Sequence, residues 1–196
     1  MNIKKERAPI SVAITGSLAS GKTFVLNYLK SLNYPVFSCD DFVRNLYEDT
    51  NVQNQVLLII DELTRFNKKE LVQIIYNKPQ YRKKLEQYIH PLVREAIGDF
   101  KKQFSRKRIL FFEVPLLFES GFEKHFDYSI CVFCSESVRL KRAKIRNNFD
   151  LAIYNKIKEV QLPAEEKIKK ADFVINTEME SLEIYKLINS FLENIK

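Results

Sequence analysis

Gly16-Ser17-Leu18-Ala19-Ser20-Gly21-Lys22-Thr23 is a complete G-x-x-x-x-G-K-[ST] phosphate-binding loop. Its glycines let the backbone curl so that successive N–H groups point at phosphate oxygens, its lysine adds a positive charge, and its threonine hydroxyl can bind Mg²⁺. The run before it, Ile10 to Thr15, is typical of a buried strand. The apolar residues after it recur at helical spacing, at Phe24, Val25, Tyr28, Leu29 and Leu32. The loop therefore stands between a strand and a helix, as a nucleotide-binding loop requires.

Short apolar runs alternate with helical segments along the rest of the chain. This order predicts an α/β fold of the P-loop NTPase type, in which a parallel sheet carries helices on both faces. The predicted strands are Ile10–Thr15, Val36–Ser38, Ile109–Phe112, Tyr128–Phe133 and Phe173–Ile175.

We expect a single domain, residues 1–196, with three parts. The core comprises roughly 8–48, 107–134 and 171–196. The strand signal disappears over residues 50–106, which predicts a helical lobe that covers the acceptor substrate or serves as a stabilising appendage. Residues 135–170 are expected to form a lid that carries arginines.

Composition restricts the class of protein. A hydrophobic content of 45% in 196 residues predicts a folded core, and a net charge of +7 favours polyanionic partners such as nucleotides. The longest apolar stretch, 109–118, is interrupted by Glu113 and Pro115, so we expect no membrane segment. The lysines at 167–170 are expected to form a solvated surface.

Three cysteines in a chain without a secretory signal predict reduced thiols in a cytoplasm. Cys131 and Cys134 have a spacing seen in metal and redox sites, but they lie in an apolar run without a second Cys or His pair. We therefore expect both to be buried packing residues.

Acidic residues follow the second predicted strand, at the sheet edge where open α/β sheets bind ligands. Asp40 can accept the proton of an attacking hydroxyl, or can cap a following helix over 42–47; the catalytic role is favoured, and both can hold. Asp41 is expected to face solvent or to stabilise the helix dipole. Arg44, one turn after Asp40, can hold a substrate phosphate.

Further charged candidates follow the third and fourth predicted strands. Glu113 ends the third strand where a carboxylate can hold Mg²⁺ through water; it can also cap the loop or pair with the loop lysine. Glu119 is a candidate for orienting the loop after that strand. Arg139, Arg142 and Arg146 share one helix face and suggest a lid over ATP, although a solvated basic face is the alternative. The lid role is favoured for the last two.

Several separated blocks resemble the dephospho-coenzyme A kinase family, nearly from end to end. The phosphate loop with Thr15 before it, Ser38-Cys39-Asp40 followed by Arg44, and His90-Pro91 with Arg94 are each similar to family blocks. The stretch Glu113-Val114-Pro115-Leu116-Leu117-Phe118-Glu119 is close to the most distinctive family motif. The spacing of the lid and C-terminal block also matches, at Arg142, Arg146, Gln161, Lys167 and Ala171-Asp172.

The resemblance implies transfer of the γ-phosphoryl group of ATP to the ribose 3′-hydroxyl of dephospho-coenzyme A, the last step of coenzyme A synthesis. Asp40 would be the base, and Lys22 and Arg142 would stabilise the transferring group. Outside the family, His90 before Pro91 is interpreted as a capping or packing residue; within it, His90 contacts substrate or supports the acceptor lobe.

The predicted site follows from the motifs and the resemblance together. The cofactors are ATP and Mg²⁺, the metal being held by Thr23 with Glu113 acting through water. The acceptor is held by Asp40, Arg44, His90 and Glu119. The nucleotide is held by Gly16, Ser17, Ala19, Ser20, Gly21, Lys22, Thr23, Phe24, Arg142 and Arg146.

The chain departs from the family at several positions. Ser38 replaces the first aspartate of a family pair, so a task shared by two carboxylates falls on Asp40. Ala19 replaces a loop glycine, which we expect to be tolerated only at a negative φ. Lys68 stands near the position at which the family has an arginine. The helical lobe looks shortened relative to that of the family. Asn176-Thr177 replaces Asp-Asn, which puts the adenine-contacting asparagine in doubt.

Two other classes share parts of this pattern. A kinase of nucleosides, nucleoside monophosphates or shikimate would have the same loop, strand-end aspartate and arginine lid. A basic nucleotide- or nucleic-acid-binding protein would explain the charge, but no nucleic-acid-binding motif is recognisable. We expect a monomer or weak homo-oligomer that binds dephospho-coenzyme A and neither nucleic acid nor membrane.

Overall fold

One parallel sheet forms the centre of the protein. The computed structural model describes residues 8–145 and 149–195. The strand order is β2-β3-β1-β4-β5, and every neighbouring pair is parallel. The prediction of a parallel α/β sheet is confirmed, with β3 and β5 each one residue longer than predicted. The strands are β1 Ile10–Thr15, β2 Val36–Ser38, β3 Ile109–Glu113, β4 Tyr128–Phe133 and β5 Phe173–Asn176.

Helices fill every connection except that between β3 and β4, which holds only a short 3₁₀ helix. Four helices separate β2 from β3, where the sequence predicted helices alone, and three separate β4 from β5. The helices are α1 Lys22–Ser31, α2 Cys39–Leu46, α3 Thr50–Ile59, α4 Lys68–Asn77, α5 Pro79–Gln103, α6 Glu136–Lys144, α7 Leu151–Val160, α8 Ala164–Lys170 and α9 Ser181–Asn194, and the 3₁₀ helix is Phe122–His125.

The central strand β1 explains why two cores form. Successive side chains of a strand point to opposite faces. Val12 and Ile14 therefore pack on one face, in a cluster to which α1 and α9 contribute. Ala13 lies on the other face, in a cluster with Phe112 and the apolar residues of α3, α4 and α5. Because both faces are covered, the strands are continuous apolar runs rather than alternating ones.

The topology places the ligand-binding edge. The chain leaves β1 for β2, returns to β3 beside β1, and then crosses to β4 on the other side of β1. This reversal at β1 is the switch point at which open α/β sheets bind ligands, beyond the carboxyl ends of the strands. Register brings Ser38 opposite Glu113, so the ends of β2 and β3 meet at that edge.

The prediction that Cys131 and Cys134 are buried packing residues is confirmed. Cys39, Cys131 and Cys134 are free and buried. Burial raises the pKa of Cys131 to about 11, which makes that thiol a packing group rather than a reactive one. Among the helices of residues 8–145 and 149–195, none combines the length and the apolar character needed to cross a membrane.

Candidate active site

The phosphate loop requires glycine at two positions. Gly16 has φ +148° and Gly21 has φ +100°. A Cβ atom at Gly16 would lie 2.1 Å from the carbonyl oxygen of Val132, and one at Gly21 would lie 2.9 Å from the side chain of Thr177. Backbone conformation and close packing therefore both exclude side chains here.

Ala19 contradicts the sequence prediction that its φ would be negative. Its φ is +61°, in the left-handed region that an alanine rarely adopts. The residue is buried, and its methyl group packs in a small cluster with Ala143 of α6 and Tyr154 of α7. Contacts with these two helices thus hold the loop in a conformation that costs a non-glycine residue about 1–2 kcal/mol.

Lys22 and Thr23 lie where the loop joins α1. The Lys22 ammonium donates hydrogen bonds to the carbonyl oxygens of Gly16 (2.9 Å) and Ser17 (3.3 Å), which keeps its charge over the loop. Thr23 is exposed in the first turn of α1. This geometry suits the binding of phosphate oxygens by backbone N–H groups and the lysine.

Other residues that the sequence predicted to bind ATP are buried in the loop or packed against the core. Ser17 and Ser20 are buried within the loop. Phe24 stacks on Tyr185 of α9, with ring centroids 5.5 Å apart, so its ring packs against the core. A contact between Phe24 and the nucleotide stays a prediction.

The acidic side of the site lies at the ends of β2 and β3. The Ser38 hydroxyl donates a 2.6 Å hydrogen bond to Glu113 Oε2 and accepts one of 3.2 Å from the Asp41 N–H. Ser38 is therefore the N-cap of α2, which begins at Cys39. The predictions of an Asp40 cap and of a helix starting at Phe42 were wrong, because the helix begins three residues earlier and Asp40 lies inside its first turn.

Asp40 is left without a capping role and faces the site. Desolvation and, next, the nearby charge of Glu113 raise the pKa of its carboxyl, while Lys22 opposes the rise. Asp41, as predicted, is exposed, and it forms a 2.8 Å ion pair with Arg44.

Two neighbouring cavities meet at Asp40. The smaller, about 210 Å³, is also lined by the loop residues Leu18 and Lys22 and by Ile157, Val160 and Gln161. The larger, about 490 Å³, is mostly apolar and lies against the helices between β2 and β3. Its polar members include Arg44, Lys68 and His90. The carboxylate thus stands between a small chamber beside the phosphate loop and a larger, mostly apolar pocket.

His90 lies inside α5 rather than at a helix start, so its interpretation as a cap was wrong. Its ring packs edge-on against Phe122 at 5.3 Å, which supports the packing interpretation. Partial burial lowers the pKa of its imidazole, so the ring is largely neutral at pH 7. His90 and Glu119 also line a third cavity of about 350 Å³.

Glu119 is joined to a lysine that the sequence analysis placed wrongly on the surface. Lys167 is fully buried, and its ammonium donates to Glu119 Oε1 (2.8 Å) and to the Pro115 carbonyl (2.9 Å). Glu119 Oε1 also accepts the Leu162 N–H at 2.8 Å. This pair fastens α8 to the loop after β3, as expected of a residue that orients that loop.

The arginines of α6 reach different surroundings. The Arg142 guanidinium donates to Thr177 Oγ1 and the Thr177 carbonyl, both at 2.8 Å, and to the Ser20 carbonyl at 3.4 Å. It therefore supports the loop and the end of β5, and its action on the transferring group stays a prediction. Arg139 is buried. The ATP-binding prediction for Arg146 lies outside the described residues.

Comparisons with a family model and with known relatives show to which family this chain belongs. A family model described as dephospho-CoA kinase matches residues 10–183. The dephospho-CoA kinase of Rickettsia bellii is 43% identical over 187 residues, which cover 95% of this chain and 98% of that protein. The chain belongs to the dephospho-CoA kinase family. The family predicted from the sequence blocks is thus confirmed.

Solved structures agree with the family at the level of the fold. Protein TT1252 from Thermus thermophilus has a TM-score of 0.84 at 28% identity, covering 97% of this chain and 100% of that one. A dephospho-CoA kinase from Campylobacter jejuni has a TM-score of 0.65 at 24% identity, covering 94% and 96%.

The residues of this family member fit a magnesium ion. Thr23 is exposed, and Ser38 donates a hydrogen bond to one carboxylate oxygen of Glu113, Oε2. Hydroxyl, carboxylate and phosphate oxygens are the hard ligands that Mg²⁺ prefers. Within 8–145 and 149–195, no three His, Cys, Asp or Glu residues gather as a metal site, so nucleotide phosphates would have to complete the coordination.

Sequence reasoning missed two residues that the fold brings into the site of this kinase. Tyr76 of α4 lines both cavities beside Asp40. Gln161 was noted only for its spacing, yet its side-chain oxygen accepts the Leu18 N–H at 3.1 Å and ties the end of α7 to the phosphate loop. No local pattern marks Tyr76, because its position depends on how α4 packs.

Proposed function

We propose that the protein transfers the γ-phosphoryl group of ATP to the ribose 3′-hydroxyl of dephospho-coenzyme A, giving coenzyme A and ADP. Family membership supports the reaction, and one structural observation supports its location. Lys22 of the phosphate loop and Asp40 line the same small cavity, and Asp40 also lines the larger one. A base positioned between a phosphate site and an acceptor pocket is the arrangement that phosphoryl transfer to an alcohol requires.

The proposed chemistry assigns a role to the phosphate loop with Lys22, to Asp40, and to Thr23 with Glu113. Loop N–H groups and the Lys22 ammonium bind the phosphates and stabilise the charge that develops on the transferring group. Asp40 accepts the proton of the acceptor hydroxyl as its oxygen bonds to the γ-phosphorus and the bond to ADP breaks. Thr23 and, through water, Glu113 would hold Mg²⁺, which when bound neutralises phosphate charge.

Water must be kept from the same phosphorus atom. Ile157 and Val160 of α7 are apolar and line the same small cavity as Asp40. Gln161 fastens this part of the chain to the phosphate loop. We propose that α6–α8 act as a lid that favours transfer to the acceptor over hydrolysis.

The remaining assignments are proposals of the same kind. Arg44 and His90 line the larger cavity and are proposed to contact the acceptor. Arg142 is proposed to act on the nucleotide through its contacts with the loop. We propose a cytoplasmic location, since both substrates are water-soluble small molecules, and we propose a monomer or weak homo-oligomer.

A coupled ADP-release assay with dephospho-coenzyme A and Mg·ATP tests the proposal. We expect saturable turnover, and we expect Lys22→Ala and Asp40→Asn each to lower kcat by about 100-fold or more. Asp41→Asn is the matched control, because Asp41 is adjacent to Asp40 but lines neither cavity, and its replacement should change kcat less than about threefold.

Two results would contradict this function. Turnover with shikimate or a nucleoside and none with dephospho-coenzyme A would assign a different acceptor. Tight, salt-sensitive binding of nucleic acid without kinase activity would favour the non-enzymatic alternative.

A further inference from the structure

Where the two cavities adjoin, only two of the described residues that line both carry polar side chains. Four residues line both cavities: Asp40, Tyr76, Pro115 and Leu116. Pro115 and Leu116 present apolar side chains. An acceptor that reaches from the larger cavity toward the phosphate loop therefore passes one carboxylate and one phenol.

The Tyr76 hydroxyl is available to a ligand. Within residues 8–145 and 149–195 no hydrogen bond joins it to another residue. Other tyrosines differ, since the Tyr28 hydroxyl bonds to Asn189 and that of Tyr81 to Asp61. Burial, and next the charge of Asp40, raise the pKa of Tyr76, so the phenol stays protonated and can donate near neutral pH.

The two side chains offer complementary chemistry at one place. The carboxylate accepts hydrogen bonds and the phenol donates one. A ribose carries two neighbouring hydroxyl groups, so its 3′-hydroxyl can donate to Asp40 while the adjacent 2′-oxygen accepts from Tyr76. Such a two-point contact would select a vicinal diol and orient the reacting oxygen.

We propose that Tyr76 is a substrate-contacting residue whose hydroxyl binds the ribose 2′-oxygen of the acceptor and thereby aligns the 3′-hydroxyl with Asp40. The inference rests on the proposed function, because it takes the acceptor to be a ribose. It predicts that the enzyme distinguishes dephospho-coenzyme A from its 2′-deoxy analogue through this one phenol.

Kinetics of Tyr76→Phe with both acceptors test the proposal. For dephospho-coenzyme A we expect kcat/KM to fall about 3- to 10-fold, the factor that one neutral hydrogen bond supplies, with KM for ATP unchanged within about twofold. The wild-type enzyme should lose a similar factor with the 2′-deoxy analogue. Tyr76→Phe should lose nothing further with that analogue, because both changes remove the same hydrogen bond.

Tyr47→Phe is the matched control. Tyr47 lines the larger cavity but not the smaller, and burial raises its pKa to about 12. It should leave the preference between the two acceptors unchanged. Calorimetric titration in the absence of ATP should show that Tyr76→Phe binds dephospho-coenzyme A about 3- to 10-fold more weakly than the wild-type protein.

The outcomes separate the two proposals. Wild-type turnover combined with an unchanged acceptor preference in Tyr76→Phe would overturn the role of Tyr76 and leave the proposed function standing. Losses that multiply when Tyr76→Phe is combined with the 2′-deoxy acceptor would also overturn it. No wild-type turnover with dephospho-coenzyme A would refute the proposed function and this inference together.

Discussion

Replacing Lys167 with methionine is expected to destabilise the protein severely. The ammonium of Lys167 is fully buried and bonds to Glu119 and to the Pro115 carbonyl. Methionine keeps a similar volume but removes the charge, and Glu119, whose side chain is only 12% exposed, loses its cation. Its second oxygen, Oε2, is buried and has no hydrogen-bond partner among residues 8–145 and 149–195, so none of these residues already compensates the charge there.

The size of the effect follows from this burial. Removing one partner of a buried ion pair costs about 3–5 kcal/mol, because the remaining charge is desolvated and uncompensated. A domain of this kind has a total stability of about 5–15 kcal/mol, so Lys167→Met should remove a large part of it. Replacing Glu119 with glutamine in the same chain removes the stranded charge, and the amide oxygen can still accept the Leu162 N–H. The double variant should therefore be more stable than Lys167→Met alone.

Urea unfolding followed by circular dichroism measures these differences. Lys169→Met is the matched control in the same helix, because Lys169 is 74% exposed and lies 3.8 Å from Glu166. An exposed pair of this kind contributes at most about 1 kcal/mol, so the control should unfold near the wild-type midpoint. A loss below about 1 kcal/mol for Lys167→Met, or a double variant no more stable than the single one, would refute the reasoning.

Two further predictions concern the loop and the base. Ala19→Gly should change the free energy of unfolding by less than about 1 kcal/mol, because relief of the left-handed φ offsets the lost methyl contact and the greater freedom of the unfolded chain. Ala19→Val should cost more than about 2 kcal/mol, and a near-neutral valine in the same urea assay would contradict the φ of +61°. Because its pKa is raised, the Asp40 carboxylate should be protonated at a pH above the ordinary aspartate value of about 3.9. As the pH decreases through that raised pKa, kcat/KM for the acceptor should therefore fall. A pH profile that stays flat down to pH 4 would argue against Asp40 as the base.

The strands and the phosphate loop could be predicted because their signals are local. A buried parallel strand is a short apolar run, and the loop is a contiguous motif whose glycines meet a backbone requirement. The resemblance of several separated sequence blocks predicted the family, and the comparisons confirm it.

The errors came where burial or backbone conformation depends on distant residues. Lys167 belongs to a run of lysines that is typical of a surface, yet α8 turns it toward Glu119, which lies 48 residues earlier in the sequence. The φ of Ala19 depends on contacts with α6 and α7. Ser38 rather than Asp40 is the N-cap of α2, because β2 ends at Ser38 and the helix begins at the next residue.

By itself, then, the sequence determined a nucleotide-binding α/β chain with an acid after its second strand, since apolar periodicity and a contiguous motif depend on neighbouring residues. Only the tertiary structure decided that Asp40 and Tyr76 share the wall between two cavities and that a lysine is buried against Glu119. Such proximities depend on how helices pack on the sheet, which is a sum of many weak contacts between residues far apart in the chain.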